Sequence, residues 1–284
     1  MDSLSTLILV IALSIIMMGM GLSLTIDDFK RVLKYPLAVF IGFLNQIILL
    51  PLIGYGLIVL LGVESNIAIG VMILAACPGG STSNLITHLA KGDTALSVTL
   101  TAVNSLITII TIPLITNFAL AEFTNEATAI DAPIDKIAGS LVIVVAIPLA
   151  IGMLIKRFAS KIADKMYQPV RIASAVVLIL VIVGLVIKER ENLPYYFENA
   201  WLIVLSLNIV TMITGYIIGK IVGLDFKQSL TIGIESGNQN GTLAIHVAVV
   251  SLARPDLAIA AAVYSLLMYL TALYPIWLGN KKAR

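Results

Sequence analysis

Apolar runs of about twenty residues, parted by short polar connections, recur from one end of the chain to the other. A run of that length crosses the hydrocarbon core of a bilayer as an α-helix. The pattern therefore predicts an all-α polytopic membrane protein with nine transmembrane helices, at 4–24, 37–61, 67–90, 94–121, 133–155, 172–187, 200–224, 229–253 and 257–278. The first run has no basic segment ahead of it and exceeds twenty residues, so it reads as a span and not as a cleaved signal peptide. Together the spans leave no room for a soluble domain. Seven of them are plain, with Pro51, Pro113 and Pro148 expected to kink helices at most.

The other two are broken by polar residues. Span 67–90 carries Cys77-Pro78-Gly79-Gly80-Ser81-Thr82-Ser83-Asn84, and span 229–253 carries Glu235-Ser236-Gly237-Asn238-Gln239-Asn240-Gly241. Proline removes a backbone donor and glycine adds chain freedom, so neither stretch continues a good helix. Irregular backbone at membrane depth survives only where protein or a wet cavity satisfies it. The two broken spans run in opposite directions, which fits inverted repeats at 1–123 (four helices) and 133–284 (five helices). The first repeat then lacks its first helix, and the breaks fall at the fourth position of both. Paired breaks of this kind point to a transporter's binding site. Glycines that merely let helices pack closely are the plainer alternative.

Charge supplies orientation. With the N-terminus outside, Lys30, Arg31, Lys34, Lys91, Lys156, Arg157, Lys161, Lys165, Arg171, Lys220, Lys227, Lys281, Lys282 and Arg284 lie in cytoplasmic connections. Only Lys136, Lys188, Arg190 and Arg254 lie outside, as the excess of cytoplasmic cations requires. This places the chain in a cell (inner) membrane, multi-pass, with its C-terminus in the cytoplasm. Composition agrees: 59% of residues are hydrophobic and 12% charged, about half the charge of a soluble domain. The net charge of +2 says little about partners, and the single Cys77 rules out an internal disulfide.

Of the 16 acidic residues, only Glu235 lies near the middle of a span, and no lysine or arginine lies at that depth. A charge there costs about 2.5–3.5 kcal/mol on insertion scales. Either Glu235 holds a proton or a cation sits beside it. Ser83, Asn84, Ser97, Thr101, Gln46, Ser236 and Gln239 offer the neutral oxygens that hard cations prefer. His88 and His246 have no partner at metal-ligand spacing and read as packing or headgroup contacts. Sodium fits one carboxylate better than zinc or calcium. Ser97, Thr101, Asn104 and Thr108 form a polar stripe on span 94–121, though such hydroxyls also bond their own helix.

Pro78-Gly79-Gly80-Ser81-Thr82-Ser83-Asn84, Lys91-Gly92-Asp93-Thr94-Ala95-Leu96-Ser97 and Glu235-Ser236-Gly237-Asn238-Gln239-Asn240 resemble the bile acid:sodium symporter family, as do Met18-Gly19-Met20-Gly21-Leu22 and Asp28-Phe29. The resemblance, which extends to bacterial homologues of the apical bile acid transporter, implies a panel domain and a core domain with two crossing, interrupted helices. It implies one sodium site at Ser83, Asn84, Ser97, Thr101 and Glu235. A second would use Gln46, Glu235 and Gln239 with backbone carbonyls around Ser236 and Asn238. Bacterial members have ten helices, so nine is a departure. Met268-Tyr269 stands where bile-acid-binding bacterial relatives carry His-Asn, which alters the substrate cavity.

The expected function is sodium-coupled uptake of an organic anion, bile-acid-like or a small carboxylate, by alternating access, with two sodium ions. Ser81, Thr82, Asn240 and Thr242 are the expected substrate-binding residues, at half-helix N-termini that favour an anion. A monomer in the lipid bilayer is expected, with no nucleic acid partner. The alternative is an efflux carrier of similar fold, proton-coupled or using Cys77 for arsenite. An intramembrane enzyme is not expected, because Glu235 has no acidic partner and no serine sits in a hydrolase motif.

Overall fold

The computed structural model describes residues 3–124, 134–188 and 193–283, and these are helical almost throughout. Arg190, Arg284 and most of the acidic connection 122–135 lie outside the described residues. Helix α1 (Ser3–Gly21) carries no charge and bends by 62° into the short α2 (Ile26–Lys34). Thr25 starts α2 with a reciprocal cap: its backbone N–H and its hydroxyl both donate to Asp28 Oδ2, at 2.8 and 2.7 Å. Helix α3 (Pro36–Leu61) opens on a proline and closes on Gly62 in the left-handed conformation. Then follow α4 (Ser65–Ala76), α5 (Ser81–Leu89) and α6 (Thr94–Phe123).

The second half comprises α7 (Ile134–Phe158), α8 (Ser160–Lys188), α9 (Leu193–Ile221), α10 (Phe226–Gly237), α11 (Gly241–Ser251) and α12 (Pro255–Lys282). Among the described residues five helices are long and apolar enough to cross a membrane alone: α3, α6, α7, part of α9 and α12. The pair α1–α2 adds a sixth if counted as one bent span. Helices α4 and α11 are too short, since twelve residues rise only about 18 Å. Each is followed or preceded by a second short helix across a break, at the two stretches the sequence marks.

Prolines leave a signature in two spans. Residues Leu44–Leu49 wind as a π-helix ahead of Pro51, and Val142–Ala146 do so ahead of Pro148. A proline cannot donate to the turn before it and crowds the carbonyl there, and the wider winding relieves both. The first of these turns carries Gln46.

Helices α1, α7 and α8 pack on one another. Gly21 and Gly152 meet where α1 crosses α7, and a Cβ on Gly152 would lie 2.8 Å from the Cα of Gly21. Small residues of this kind let membrane helices approach closely. Among the described residues the most extensive helix pairing is α9 on α10, which seats the second broken helix.

Candidate functional site

Helix α4 ends at Ala76 because Cys77, the residue before Pro78, is held extended, with φ −75° and ψ 152°. Helix α10 ends at Gly237, with Asn238 just beyond it. The two unwound segments then meet. Gly79 and Gln239 form an antiparallel bridge, and the Asn240 N–H donates to Pro78 O at 2.9 Å. Backbone groups that neither helix can use are satisfied by the other break.

Glu235 lies beside this crossing and is 2% exposed. Ser97 Oγ donates to its Oε1, and Thr101 Oγ1 donates to its Oε2 at 3.0 Å. The same hydroxyls also reach Asn84 Oδ1, at 2.7 and 3.2 Å. Ser83 is fully buried, and its Oγ donates to Gly80 O at 2.7 Å. Gly79 must lack a side chain here, since a Cβ would come 2.5 Å from Glu235 Oε2 and 3.2 Å from Ser83 Oγ. Thus Ser83, Asn84, Ser97, Thr101 and Glu235 are gathered in one place.

A hydroxyl has one hydrogen. Two hydroxyls therefore face four acceptors, namely both oxygens of Glu235, Oδ1 of Asn84 and, at 2.9 Å from Thr101 Oγ1, Ser97 O. The pocket is short of hydrogens and rich in oxygen. That arrangement suits a hard cation.

Gln46 sits on the other side of the crossing, with its Nε2 donating to Cys77 O at 3.0 Å and to Gln239 Oε1 at 2.7 Å. Its own Oε1 is buried without a partner. Gln239 Nε2 in turn donates to Ser236 O at 2.8 Å. The Ser236 side chain accepts from Asn45 Nδ2, and the Asn238 side chain donates to Ile234 O at 2.9 Å. Asn238 Oδ1 is buried without a partner, whereas Ser236 O already takes side-chain donors.

The last four carbonyls of a helix have no intrahelical partner. In α10 each one takes a side-chain donor. Asn238 serves Ile234 O, and Gln239 serves Glu235 O and Ser236 O. Thr211 Oγ1 also donates to Ser236 O at 3.0 Å, while Asn208 Nδ2 and Tyr264 OH both donate to Gly237 O. Asn45, Asn208, Thr211 and Tyr264 are not among the residues the sequence singles out. The available signal is an amide inside an apolar span, which Asn45 and Asn208 both give.

The expected substrate residues divide. Ser81 is exposed and Thr82 half-buried at the start of α5, whereas Asn240 and Thr242 are buried. Asn240 Oδ1 accepts from the Leu243 N–H at 3.1 Å and so caps its own helix. On α12, Met268 is buried and Tyr269 is 43% exposed, so the two do not present one surface. His88 is exposed, and His246 is buried with neither ring nitrogen hydrogen-bonded. Among the described residues no three His, Cys, Asp or Glu side chains converge on a metal position.

Residues 10–195 match the profile of the Sodium Bile acid symporter family, a stretch that includes the first break, Ser97 and Thr101. The chain belongs to the sodium bile acid symporter family. It is 32% identical over 255 residues to an uncharacterized sodium-dependent transporter, YocS, of Bacillus subtilis, covering 90% of this chain and 77% of that one. It is 30% identical over 258 residues to the ileal sodium/bile acid cotransporter of Oryctolagus cuniculus, covering 88% and 71%. It is also 32% identical over 259 residues to a probable chloroplastic sodium/metabolite cotransporter, BASS1, of Arabidopsis thaliana, spanning 90% of this chain but 62% of the plant protein. These alignments span about nine-tenths of the chain, beyond the stretch the family profile matches. Members of this family are sodium-dependent membrane transporters and not enzymes.

Proposed function

We propose that this chain takes up an organic anion together with two sodium ions, by alternating access, and that the crossing of the two breaks is the coupling site. The proposed frame is nine spans in inverted repeats. Helices α1, α7 and α8 form the panel and the rest the core, with the N-terminus outside and the C-terminus in the cytoplasm of a cell membrane. One ion would lie among Ser83, Asn84, Ser97, Thr101 and Glu235. The other would lie among Gln46, Glu235, Gln239 and the carbonyls of Ser236 and Asn238. The observation that carries this reading is the surplus of acceptors around Glu235, which one cation removes at a stroke.

Sodium also explains why the second break is built of amides. Gln46 Nε2 reaches Gln239 Oε1, and Gln239 Nε2 reaches Ser236 O, so a chain of donors now lies across the carbonyls. A cation would take the place of these weak positive ends, and the Gln46 Oε1 that lacks a partner would gain one. Filling both sites would fix α5 and α11 at the crossing, where Ser81 and Thr82 face outward. An anion there meets the positive end of α5. Coupling follows because each ligand raises the affinity of the other by the same factor. Cys77 supports no arsenite chemistry of this kind: it is fully buried, and its Sγ lies 3.3 Å from Ile73 O as a packing residue does.

A proton on Glu235 would also supply one missing hydrogen, and one substitution separates the two. Glu235→Gln keeps shape and adds donors but removes the charge. With sodium as partner, apparent sodium affinity should fall roughly 150- to 5,000-fold, the equivalent of the about 3–5 kcal/mol that breaking a buried charge pair costs. Thermal stabilisation of the purified protein by sodium, at fixed pH and ionic strength, reads this directly. Equal stabilisation of both proteins would remove sodium from Glu235.

A further inference from the structure

A cavity of about 620 Å³ opens far from the crossing, where α1 bends into α2 and faces the last turns of α7. None of its lining residues belongs to either break. Its walls are apolar, with Leu24 and Ile26 on one side and Ala150, Met153 and Leu154 on the other. Ile26 and Leu154 are each about half exposed, so the slot runs out onto apolar surface. Three cations, Lys30, Lys156 and Arg157, also line it, together with one carboxylate, Asp27.

Those cations are not equally engaged. Lys30 pairs with Asp27 at 3.1 Å, and Lys156 pairs with Asp164 at 2.6 Å. Among the described residues Arg157 pairs with no carboxylate; it lies instead over the Phe158 ring. One positive charge is left uncompensated beside an apolar slot. Helix α7 crosses the membrane and ends at Phe158, so this charge lies at the level of lipid headgroups.

We propose that the slot holds one anionic phospholipid of the phosphatidylglycerol type, with an acyl chain against Ile26 and Leu154 and its phosphodiester against Arg157 and Lys30. The chemistry matches part by part: a single negative charge meets the single uncompensated cation, and the chain covers the exposed apolar walls. Basic pockets between helices on the cytoplasmic side suit anionic headgroups. The bound lipid ties the α1–α2 bend to α7. The inference rests on the proposed orientation only in naming the leaflet that supplies the lipid.

The test uses the full chain, purified and stripped of lipid, titrated with phosphatidylglycerol or with phosphatidylcholine of the same chains. Lipid retained in native mass spectrometry and the thermal midpoint are both read. Phosphatidylglycerol is expected to bind and stabilise, and phosphatidylcholine to do neither. Each cation near a membrane surface is worth about fivefold in affinity, so Lys30→Gln with Arg157→Gln should weaken binding roughly 30-fold. Ala150→Phe fills the slot from an exposed position without touching charge and should block retention too. The pair Lys281→Gln and Lys282→Gln, at the end of α12, should leave binding intact. Equal protection by phosphatidylcholine overturns the proposal. So does full phosphatidylglycerol binding by the Lys30/Arg157 and Ala150 variants, or an equal loss in the Lys281/Lys282 control. Sodium-dependent stabilisation should be unchanged in all of them, which keeps this test separate from that of Glu235.

Discussion

At the first break the free backbone groups are met mainly by backbone. Leu74 O accepts from the Cys77 N–H, Pro78 O from the Asn240 N–H, and Gly80 O from the N–H of Ser83, with Gln46 the one distant side chain, on Cys77 O. At the second break side chains carry the load, drawn from the break itself, from Thr211 and Asn208 on α9 and from Tyr264 on α12. The difference follows from sequence. Pro-Gly-Gly fixes a path for the chain with little help; of the hydroxyls that follow, Ser83 Oγ donates back to Gly80 O, and Ser81 and Thr82 stand at the accessible start of α5. The stretch Asn238-Gln239-Asn240 has no such built-in geometry: the amides of Asn238 and Gln239 are spent on holding carbonyls in place, and that of Asn240 caps α11. The first break thus offers side chains outward, whereas the second offers carbonyls inward. Cargo contacts are expected at Ser81 and Thr82, and ion contacts at Ser236 and Asn238.

After Glu235→Gln, the largest effect should come from giving the first break a side chain. A Cβ at Gly79 meets Glu235 Oε2 at 2.5 Å, and the carboxylate must move. Overpacking of this kind costs about 1–3 kcal/mol, so Gly79→Ala should lower sodium affinity by as much as roughly 100-fold. At Gly80 the nearest atom is Thr82 Oγ1 at 3.3 Å, on a side chain free to turn, and φ is −104°. Gly80→Ala should therefore leave the sodium titration almost unchanged. Similar losses at both glycines would mean that the break tolerates no side chain anywhere, and that Glu235 is not the reason.

A smaller loss is expected where the two breaks are joined through α3. Gln46→Ala leaves Cys77 O and Gln239 Oε1 without their donor and removes a proposed ligand. An unmet buried partner costs about 1–3 kcal/mol, and sodium affinity should fall about tenfold in a folded protein. Unchanged sodium dependence of uptake would reduce Gln46 to a bridge between helices.

The two breaks also differ in how far they can be read from sequence. Both stand out because proline, glycine, hydroxyls and amides cluster there inside otherwise apolar spans, and Glu235 stands out because no other acid lies mid-span. Ser97 and Thr101 are legible through their spacing of four, which places them on one helix face. The donors behind the second break are not legible. Thr211 Oγ1 also bonds Leu207 O on its own helix, the ordinary fate of a membrane threonine, and only the pairing of α9 with α10 brings it to Ser236. Tyr264 looks like a bulky apolar residue of α12 until its hydroxyl is traced to Gly237 O. Such partners are set by helix packing, which periodicity does not specify.

Tyr264→Phe isolates that hidden layer. The ring stays, so the packing of a fully buried side chain is kept and only one hydrogen bond is lost. Gly237 O retains Asn208 as donor, which holds the expected loss near 1 kcal/mol, or about fivefold in sodium affinity. The decisive comparison is between stability without sodium and the increment that sodium adds. A hydrogen bond that only holds helices together lowers the first and leaves the second alone. One that aims the carbonyls at the end of α10 lowers the second, because the ion then finds its ligands displaced. Thr211→Val, which removes one of the two side-chain donors on the Ser236 carbonyl while keeping a branched side chain, should do the same. A full sodium increment in both variants would mean that the amides of the second break hold their carbonyls unaided, and that the contrast between the breaks ends at Gln239.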